Sequence, residues 1–130
     1  RIRHPNVVAL EDLGEDDGQL YMVIEWVQGD SLARLHAEAE AHGVAIPPNL
    51  LLRILADACA GLHAAHELIG DDGRLLGVVH RDIKSENVFR CALSGCWKLG
   101  DFGSALKLGD SRTMARQPLK LEGTFSFAPP

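Results

Sequence analysis

Two short segments of the chain contain residue types that suit the handling of phosphate groups. Residues 80–87 are His-Arg-Asp-Ile-Lys-Ser-Glu-Asn, and residues 101–103 are Asp-Phe-Gly. Together they provide the carboxylates of Asp82 and Asp101, the ammonium group of Lys84 and the amide of Asn87. Carboxylate and amide oxygens are hard ligands that suit Mg²⁺, and a lysine ammonium pairs with phosphate oxygens. The two segments therefore predict a site that gathers the phosphates of a nucleotide and their Mg²⁺ ions.

The pattern His-Arg-Asp-x-Lys-x-x-Asn followed by Asp-Phe-Gly resembles the catalytic loop and the metal-binding loop of eukaryotic-type protein kinases. Every fixed position of this pattern is matched. A lone Asp-Phe-Gly is most often a turn, and a lone His80 would most often be a packed core imidazole, but the joint spacing makes a chance match negligible. Lys84, two residues after Asp82, is typical of the kinases that act on serine and threonine.

The polar side chains have distinct expected roles, because phosphoryl transfer needs positioning and charge neutralisation more than covalent chemistry. Asp82 would accept a hydrogen bond from the substrate hydroxyl and take its proton late. Lys84 would contact the transferred γ-phosphoryl oxygens, while Asn87 and Asp101 would hold Mg²⁺. The expected catalytic residues are thus Asp82, Lys84 and Asn87. The resemblance implies ATP and Mg²⁺ as cofactors and a protein substrate with a serine or threonine acceptor.

The resemblance also implies where the adenine of ATP would bind. Residues 20–32 look like the hinge passage between the two lobes of a kinase, with Ile24 as the gatekeeper beside the adenine. The Glu25 carbonyl and the Val27 amide and carbonyl would face its hydrogen-bonding edge, and Phe89 would form part of the floor beneath it. The full set of expected nucleotide-binding residues is Ile24, Glu25, Val27, Lys84, Glu86, Asn87, Phe89 and Asp101.

A regulatory segment is expected after the metal-binding loop. In kinases with an arginine at the position of Arg81, that arginine often binds a phosphate on the activation segment. Ser111 and Thr113 are the candidate phosphate acceptors, and Thr124 would hydrogen-bond toward Asp82 and Lys84. The expected regulatory and activation-segment residues are Arg81, Phe102, Gly103, Ser111, Thr113 and Thr124.

Two β-hairpins are predicted. The first joins residues 7–10 to residues 19–27 through an acidic turn that ends in Asp17-Gly18, with residues 11–12 and 15–17 in a solvated loop. The second joins residues 88–90 to residues 97–99 around Cys91 and Cys96. A short buried strand at residues 77–79 leads into the catalytic loop.

Two helices are predicted between the hairpins. A short helix has Asp30 or Ser31 as its N-cap and continues to Ala41 before Gly43. A longer helix opens with Pro47-Pro48. Apolar side chains in it recur at spacings of three and four residues, which indicates one buried stripe formed by Leu51, Leu55, Ala58, Cys59, Leu62 and Ala65.

The expected fold class is α+β, with the fold of a protein kinase. By the resemblance, residues 1–27 would be the end of the N-lobe sheet and the hinge, and residues 28–130 the first half of the C-lobe through the activation segment. The Gly-rich loop, the N-lobe lysine and the αC glutamate of such kinases have no counterpart in this sequence. The fragment alone is therefore expected to be inactive, and the activity to belong to the parent enzyme.

The composition excludes several other classes of protein. The chain has 130 residues, 46% of them hydrophobic, and a formal net charge of −5. Mild acidity argues against a nucleic-acid-binding surface, and no run approaches the roughly 18 apolar residues that a membrane span requires. The expected location is cytoplasmic, with any membrane segment of the parent outside this fragment. The three cysteines are too few for a disulfide framework and are expected to be thiols.

Two other interpretations stay open from the sequence. A pseudokinase or scaffolding module would need a defect outside this chain, because the catalytic residues within it are intact. A small-molecule phosphotransferase of the aminoglycoside type would resemble the loop only loosely. Those enzymes typically have glycine in place of Arg81 and lack Lys84 and Asp-Phe-Gly.

Overall fold

The computed structural model of the protein describes residues 1–102 and 106–107, and it contains both helices and strands. In chain order the elements are β1 (Leu10–Asp16), β2 (Gln19–Ile24), β3 (Gly29–Ser31), α1 (Leu32–Ala41), α2 (Pro48–His66), β4 (Val78–Val79), a 3-10 turn (Ser85–Asn87), β5 (Val88–Cys91), β6 (Trp97–Leu99) and β7 (Leu106–Lys107). The predicted α+β class is confirmed.

The first hairpin forms around the predicted turn but has different strand limits. Asp17 and Gly18 both have positive φ, 48° and 77°, as a two-residue hairpin turn with right-handed strand twist requires. The prediction of residues 7–10 as the first strand was wrong: β1 starts at Leu10 and includes most of the acidic residues assigned to a loop. A two-stranded ribbon with exposed side chains on both faces accepts these charges. Val7 instead forms a parallel bridge with Leu99.

A three-stranded antiparallel sheet in the order β3-β5-β6 connects the two halves of the described chain. Phe89 lies opposite Ser31 on one side and opposite Lys98 on the other. The sequence prediction missed β3, because Gln28-Gly29-Asp30 has the composition of a turn. Glycine is required there, since a Cβ at Gly29 would collide with the Arg90 carbonyl oxygen.

The two helices begin where the sequence predicts. The Ser31 hydroxyl accepts a hydrogen bond from the Arg34 backbone N–H at 3.3 Å and caps α1, while Pro47 and Pro48 open α2. Gly43, with φ of 65°, follows the end of α1.

The buried face of α2 is displaced from the predicted stripe. Ile54 packs with Val88, Trp97 and Leu99 as the core, and Ala58 and Leu62 pack against it. Ala65 is buried as predicted, but Leu51 and Leu55 are 44% and 60% exposed and Cys59 is exposed as well. The apolar residues of α2 cover more than one side of the helix, and the β5-β6 hairpin covers only the side that includes Asp57 and Gly61.

Close approach at two points fixes α2, once against β6 of the hairpin and once against the N-terminal segment that contains Asn6. The Asp57 carboxylate accepts hydrogen bonds from the Trp97 backbone N–H at 3.0 Å and from Arg53 Nε at 2.9 Å, so its burial is compensated. A Cβ at Gly61 would lie 2.5 Å from the Asn6 carbonyl oxygen. The helix therefore holds in place the hairpin that separates the two polar motifs.

A strand lies before residues 80–87 as predicted, but β4 covers only Val78–Val79 and is half-buried instead of buried; it pairs with β7. Within the described part of the chain, neither helix combines the length and apolar character needed to cross a membrane.

Candidate active site

The two polar motifs adopt backbone conformations that are unusual for their residue types. Arg81 and Asp101 have φ of 72° and 56°, in the left-handed region. This region costs a residue with a Cβ about 1–2 kcal/mol, and such conformations cluster at active sites. Each motif thus contains one residue that the surrounding packing holds in a strained conformation.

His80 joins the two motifs through the core. Its side chain is 1% exposed, and Nε2 donates a hydrogen bond to the Gly100 carbonyl at 2.9 Å. Nδ1 accepts one from the Asp82 backbone N–H at 3.3 Å. A carbonyl can only accept and a backbone N–H can only donate, so these partners assign the neutral tautomer with hydrogen on Nε2. The imidazole also packs on the Phe102 ring, with centroids 4.3 Å apart.

Asn87 orients the Asp82 carboxylate. Its amide nitrogen donates to the Asp82 carbonyl at 2.9 Å and to Asp82 Oδ2 at 3.2 Å, and the side chain is almost fully buried. The backbone carbonyl of Asn87 accepts a hydrogen bond from Gly100 N–H at 2.9 Å, next to Asp101. Since the amide nitrogen makes these bonds, the amide oxygen is the atom that can ligate a metal ion.

Lys84 completes the cluster. Its ammonium lies 2.8 Å from Asp82 Oδ2, and both side chains are largely buried. The hydrogen bond to Asp82 raises the pKa of Lys84 above its usual value, against a smaller opposing effect of burial, and the charges of Glu86 and Asp101 add to the rise. The lysine therefore stays protonated near its carboxylate partners. The three predicted catalytic residues thus form one cluster, and the charge of Asp101 acts on its lysine.

A largely apolar cavity of about 670 Å³ lies beside this cluster. Of the residues predicted to bind the nucleotide, those that line it are Ile24, Glu25, Val27, Phe89 and Asp101. The other three predicted contacts, Lys84, Glu86 and Asn87, are not among the described residues that line the cavity. Glu86 is exposed, and its carboxylate accepts a hydrogen bond from the Ser85 hydroxyl at 3.2 Å. The cavity adjoins the polar cluster at Asp101.

An ion pair that sequence reasoning missed joins Glu25, directly after β2, to Lys98 in β6. Lys98 Nζ lies 2.6 and 2.9 Å from the two carboxylate oxygens of Glu25. The Ala9 backbone N–H donates to Glu25 Oε2 at 3.1 Å. Burial favours the neutral carboxyl, but the hydrogen bonds from Lys98 and Ala9 and the lysine charge hold the pKa of Glu25 below its usual value.

The sequence did contain a signal for this pair. Lys98 stands between Trp97 and Leu99, both buried, so it points to the opposite face of the strand. Glu25 is the one charged residue of a strand-forming run. A charged residue inside an apolar strand indicates that it has a partner of opposite charge. The spacing of Glu25 and Lys98 along the chain does not show that they are each other's partner.

Four predicted regulatory positions lie outside the described residues: Gly103, Ser111, Thr113 and Thr124. Phe102 is described and half-buried against His80. Arg81 is half-buried beside Asp82.

Comparison with known proteins agrees with the motifs. All 130 residues match the family model for the protein kinase domain. The whole chain is 32% identical to the tyrosine-protein kinase MasK of Myxococcus xanthus and 34% identical to the serine/threonine-protein kinase Nek3 of Mus musculus. It covers 20% and 23% of those two proteins, so it spans about a fifth of the length of these relatives.

A bacterial serine/threonine-protein kinase and a solved structure give the same result. PknB of Mycobacterium leprae is 33% identical over 134 aligned residues, which cover 99% of the chain and 19% of that protein. The crystal structure of a mutant PknI kinase domain from Mycobacterium tuberculosis superposes with a TM-score of 0.63 at 28% identity. That match covers 78% of this chain and 37% of the other. The predicted protein-kinase fold is confirmed, and the chain belongs to the protein kinase domain family.

Proposed function

We propose that the protein containing this chain is an ATP- and Mg²⁺-dependent kinase that phosphorylates serine or threonine residues of protein substrates. The observation that supports this best is the grouping at Asp82. Lys84 Nζ lies 2.8 Å and Asn87 Nδ2 lies 3.2 Å from the same carboxylate oxygen of Asp82. This arrangement fixes the orientation of a carboxylate next to a cation, which a hydroxyl-to-phosphate transfer needs.

Each residue of the cluster has a role in the proposed reaction. Asp82 accepts a hydrogen bond from the substrate hydroxyl, aligns its oxygen for attack and receives its proton late in the transfer. Lys84 neutralises negative charge on the transferred phosphoryl group, and its raised pKa keeps it charged for this purpose. Asn87 holds the Asp82 carboxylate in position through its two hydrogen bonds to Asp82.

The residues present fit Mg²⁺ and ATP. Asn87 and Asp101 would supply an amide oxygen and a carboxylate to Mg²⁺, which neutralises phosphate charge when bound. No group of three or more metal-ligating side chains occurs among the described residues, and Mg²⁺ sites commonly take their remaining ligands from substrate phosphates and water. Ile24 and Phe89 would contact the adenine, with the backbone of Glu25 and Val27 at its polar edge. Lys84 and Glu86 remain proposed nucleotide contacts.

The proposal also covers the residue type that accepts the phosphate and the regulation of the kinase. Lys84 after Asp82 favours serine or threonine as acceptor, as do the names of Nek3 and PknB, although MasK is named a tyrosine-protein kinase. Arg81 would bind a phosphate on Ser111 or Thr113, with Thr124 near the catalytic residues. Residues 1–27 would belong to the end of the N-lobe and the hinge, and residues 28–130 to the C-lobe. A cytoplasmic location agrees with the use of ATP.

Two matched assays of the intact protein test this function. We expect γ-labelled ATP to transfer label to peptides with a serine or threonine acceptor, and a chelator of Mg²⁺ to abolish the transfer. Peptides that differ only by a tyrosine at the acceptor position are the control. Label on the tyrosine peptide alone would contradict the proposed acceptor, and nucleotide binding without any transfer would favour a pseudokinase.

A further inference from the structure

Cys91 and Cys96 lie directly opposite each other at the end of the β5-β6 ladder. The register pairs Phe89 with Lys98 and Arg90 with Trp97, and the next pair in that register is Cys91 with Cys96. The Cys91 backbone N–H donates to the Cys96 carbonyl at 2.9 Å, and the Cys91 carbonyl accepts from the Gly95 N–H at 2.9 Å, so Gly95 and Cys96 together face Cys91 where the hairpin closes. Opposed residues of adjacent antiparallel strands have Cα atoms about 4.5–5.5 Å apart, within the range of Cα separations across a disulfide.

Both sulfur atoms have Ser94 as a neighbour. The Ser94 hydroxyl lies 2.8 Å from the Cys96 sulfur, and the Cys96 thiol donates to the Pro5 carbonyl at 3.5 Å. The Ser94 hydroxyl also lowers the pKa of Cys91, together with the backbone N–H groups of Ser94 and Leu93. Donors that point at a sulfur stabilise its thiolate, which is the reactive form. The loop therefore brings two thiols to one hydroxyl and favours ionisation of one of them.

The two thiols differ in access to solvent. Cys91 is buried and Cys96 is half-buried, and both are free thiols. A small oxidant would reach Cys96 first, while Cys91 is close enough to react with the product. Disulfides in reducing compartments are usually transient and serve redox sensing, so a pair of this kind need not be oxidised at rest.

We propose that Cys91 and Cys96 are a modification site, at which a peroxide oxidises the two thiols reversibly to a disulfide across the hairpin. The Cys96 sulfur attacks one peroxide oxygen and breaks the O–O bond, which forms a sulfenic acid; the thiol proton passes to the leaving oxygen, which departs as water. The Cys91 thiolate then attacks that sulfur, the S–S bond forms, and hydroxide leaves and is protonated to water. Two thiols are oxidised and one peroxide is reduced to two waters; a dithiol reductant reverses the reaction.

This site is independent of the proposed phosphoryl transfer, although it lies on the same strands. Side chains two residues apart in a strand share a face, so the thiol pair lies beside Phe89 and Lys98 on the sheet. Phe89 lines the cavity, and Lys98 pairs with Glu25.

Mass spectrometry of the intact protein tests the proposal. After treatment with hydrogen peroxide and then an alkylating reagent, trypsin would release residues 91–98 as one peptide with both cysteines, because Arg90 and Lys98 flank it. We expect this peptide to be unalkylated and lighter by two hydrogens, and dithiothreitol to restore alkylation at both positions. Cys59→Ser should leave this result unchanged, since Cys59 lies on α2.

Rate measurements test the part assigned to Ser94. We expect Ser94→Ala to slow disulfide formation several-fold at neutral pH, whereas Leu93→Ala in the same loop should leave the rate unchanged because that side chain is 81% exposed. Equal rates in the wild type and Ser94→Ala would overturn the role of the hydroxyl. Separate alkylation of both cysteines after peroxide, or pairing of either with a different cysteine, would overturn the site itself.

Discussion

At the scale of single residues, both the backbone and the side chain of Asp82 make polar contacts. The Asp82 backbone N–H donates a hydrogen bond to His80 Nδ1, and the Asp82 carboxylate accepts one from Asn87 and pairs with Lys84. The consequence is a carboxylate with little rotational freedom in a partly dry environment. Single substitutions should therefore affect phosphate transfer and nucleotide binding separately, because the cluster around Asp82 and the apolar cavity are adjacent but distinct.

Asp82→Asn in the intact protein should lower the turnover number about 10²–10⁴-fold, because the amide cannot take up the hydroxyl proton. Nucleotide affinity should change little, since Asp82 does not line the cavity. Single-turnover phosphate transfer and nucleotide titration measure the two effects separately. Parallel loss of both, with a lowered unfolding temperature, would indicate a folding defect instead of a catalytic role.

Asp101→Ala should weaken nucleotide binding only when Mg²⁺ is present, because the lost group is a proposed metal ligand. Titration calorimetry with and without the metal measures this difference. Asp71→Ala, in an exposed loop, is the matched control and should behave as the wild type. Equal weakening of binding in the absence of Mg²⁺ would contradict the metal role of Asp101.

At the scale of elements, helix α2 and the Glu25–Lys98 pair hold the β5-β6 hairpin in place. The β5-β6 hairpin lies between the two motifs, with Asn87 directly before β5 and Asp101 two residues after β6 ends. Helix α2 packs on one face of this hairpin, and the Glu25–Lys98 pair connects the other face to the hinge segment. The distance between the motifs thus depends on these packing contacts as well as on the direct contact of His80 with Phe102.

Glu25→Gln should reduce the free energy of unfolding by about 1.5–3 kcal/mol at pH 7, the range for hydrogen bonds to a charged group. The folded-state pKa of Glu25 lies below its ordinary value of 4.5, so the stabilisation is complete above that pH and is lost as the pH falls through the folded-state value. Denaturant titrations of the wild type and the variant should therefore converge in acid.

A double-mutant cycle with Lys98→Met isolates the pairwise part of this effect. Lys98→Met alone should cost more than Glu25→Gln, because it leaves a carboxylate in a partly buried site without its cation. Glu11→Gln, at an exposed position in β1, is the control. Additive losses for the two changes would show that the ion pair does not contribute as a unit.

At the scale of the whole molecule, several large apolar side chains are exposed among the described residues. Trp26 is 89% exposed, and Leu52 and Leu55 on α2 are 68% and 60% exposed. Scattered exposed leucines are ordinary, but neighbouring ones on a helix face mark a surface that associates with other apolar groups. The chain of 130 residues is also small enough to have a low ratio of buried to exposed surface.

Expressed alone, this chain should associate at micromolar concentration and unfold without a sharp transition. Leu52→Lys with Leu55→Lys should reduce association, whereas Leu93→Lys, in the hairpin loop, should not. Light scattering and circular dichroism during heating measure both properties. A monomer with a cooperative melt and measurable phosphate transfer would contradict the expectation that the isolated chain is inactive.

The sequence alone determined the two polar motifs, both helices, the Asp17-Gly18 turn and the second hairpin, because each depends on neighbouring residues: fixed spacing, caps, prolines and turn chemistry. Tertiary structure decided what depends on distant contacts. It set the strand limits of β1 and added β3, which forms only because β5 lies beside it. It selected which side of α2 is buried, and it paired Glu25 with Lys98. Which distant residues pair depends on which surfaces meet in the folded protein, and the local sequence around each residue does not specify this.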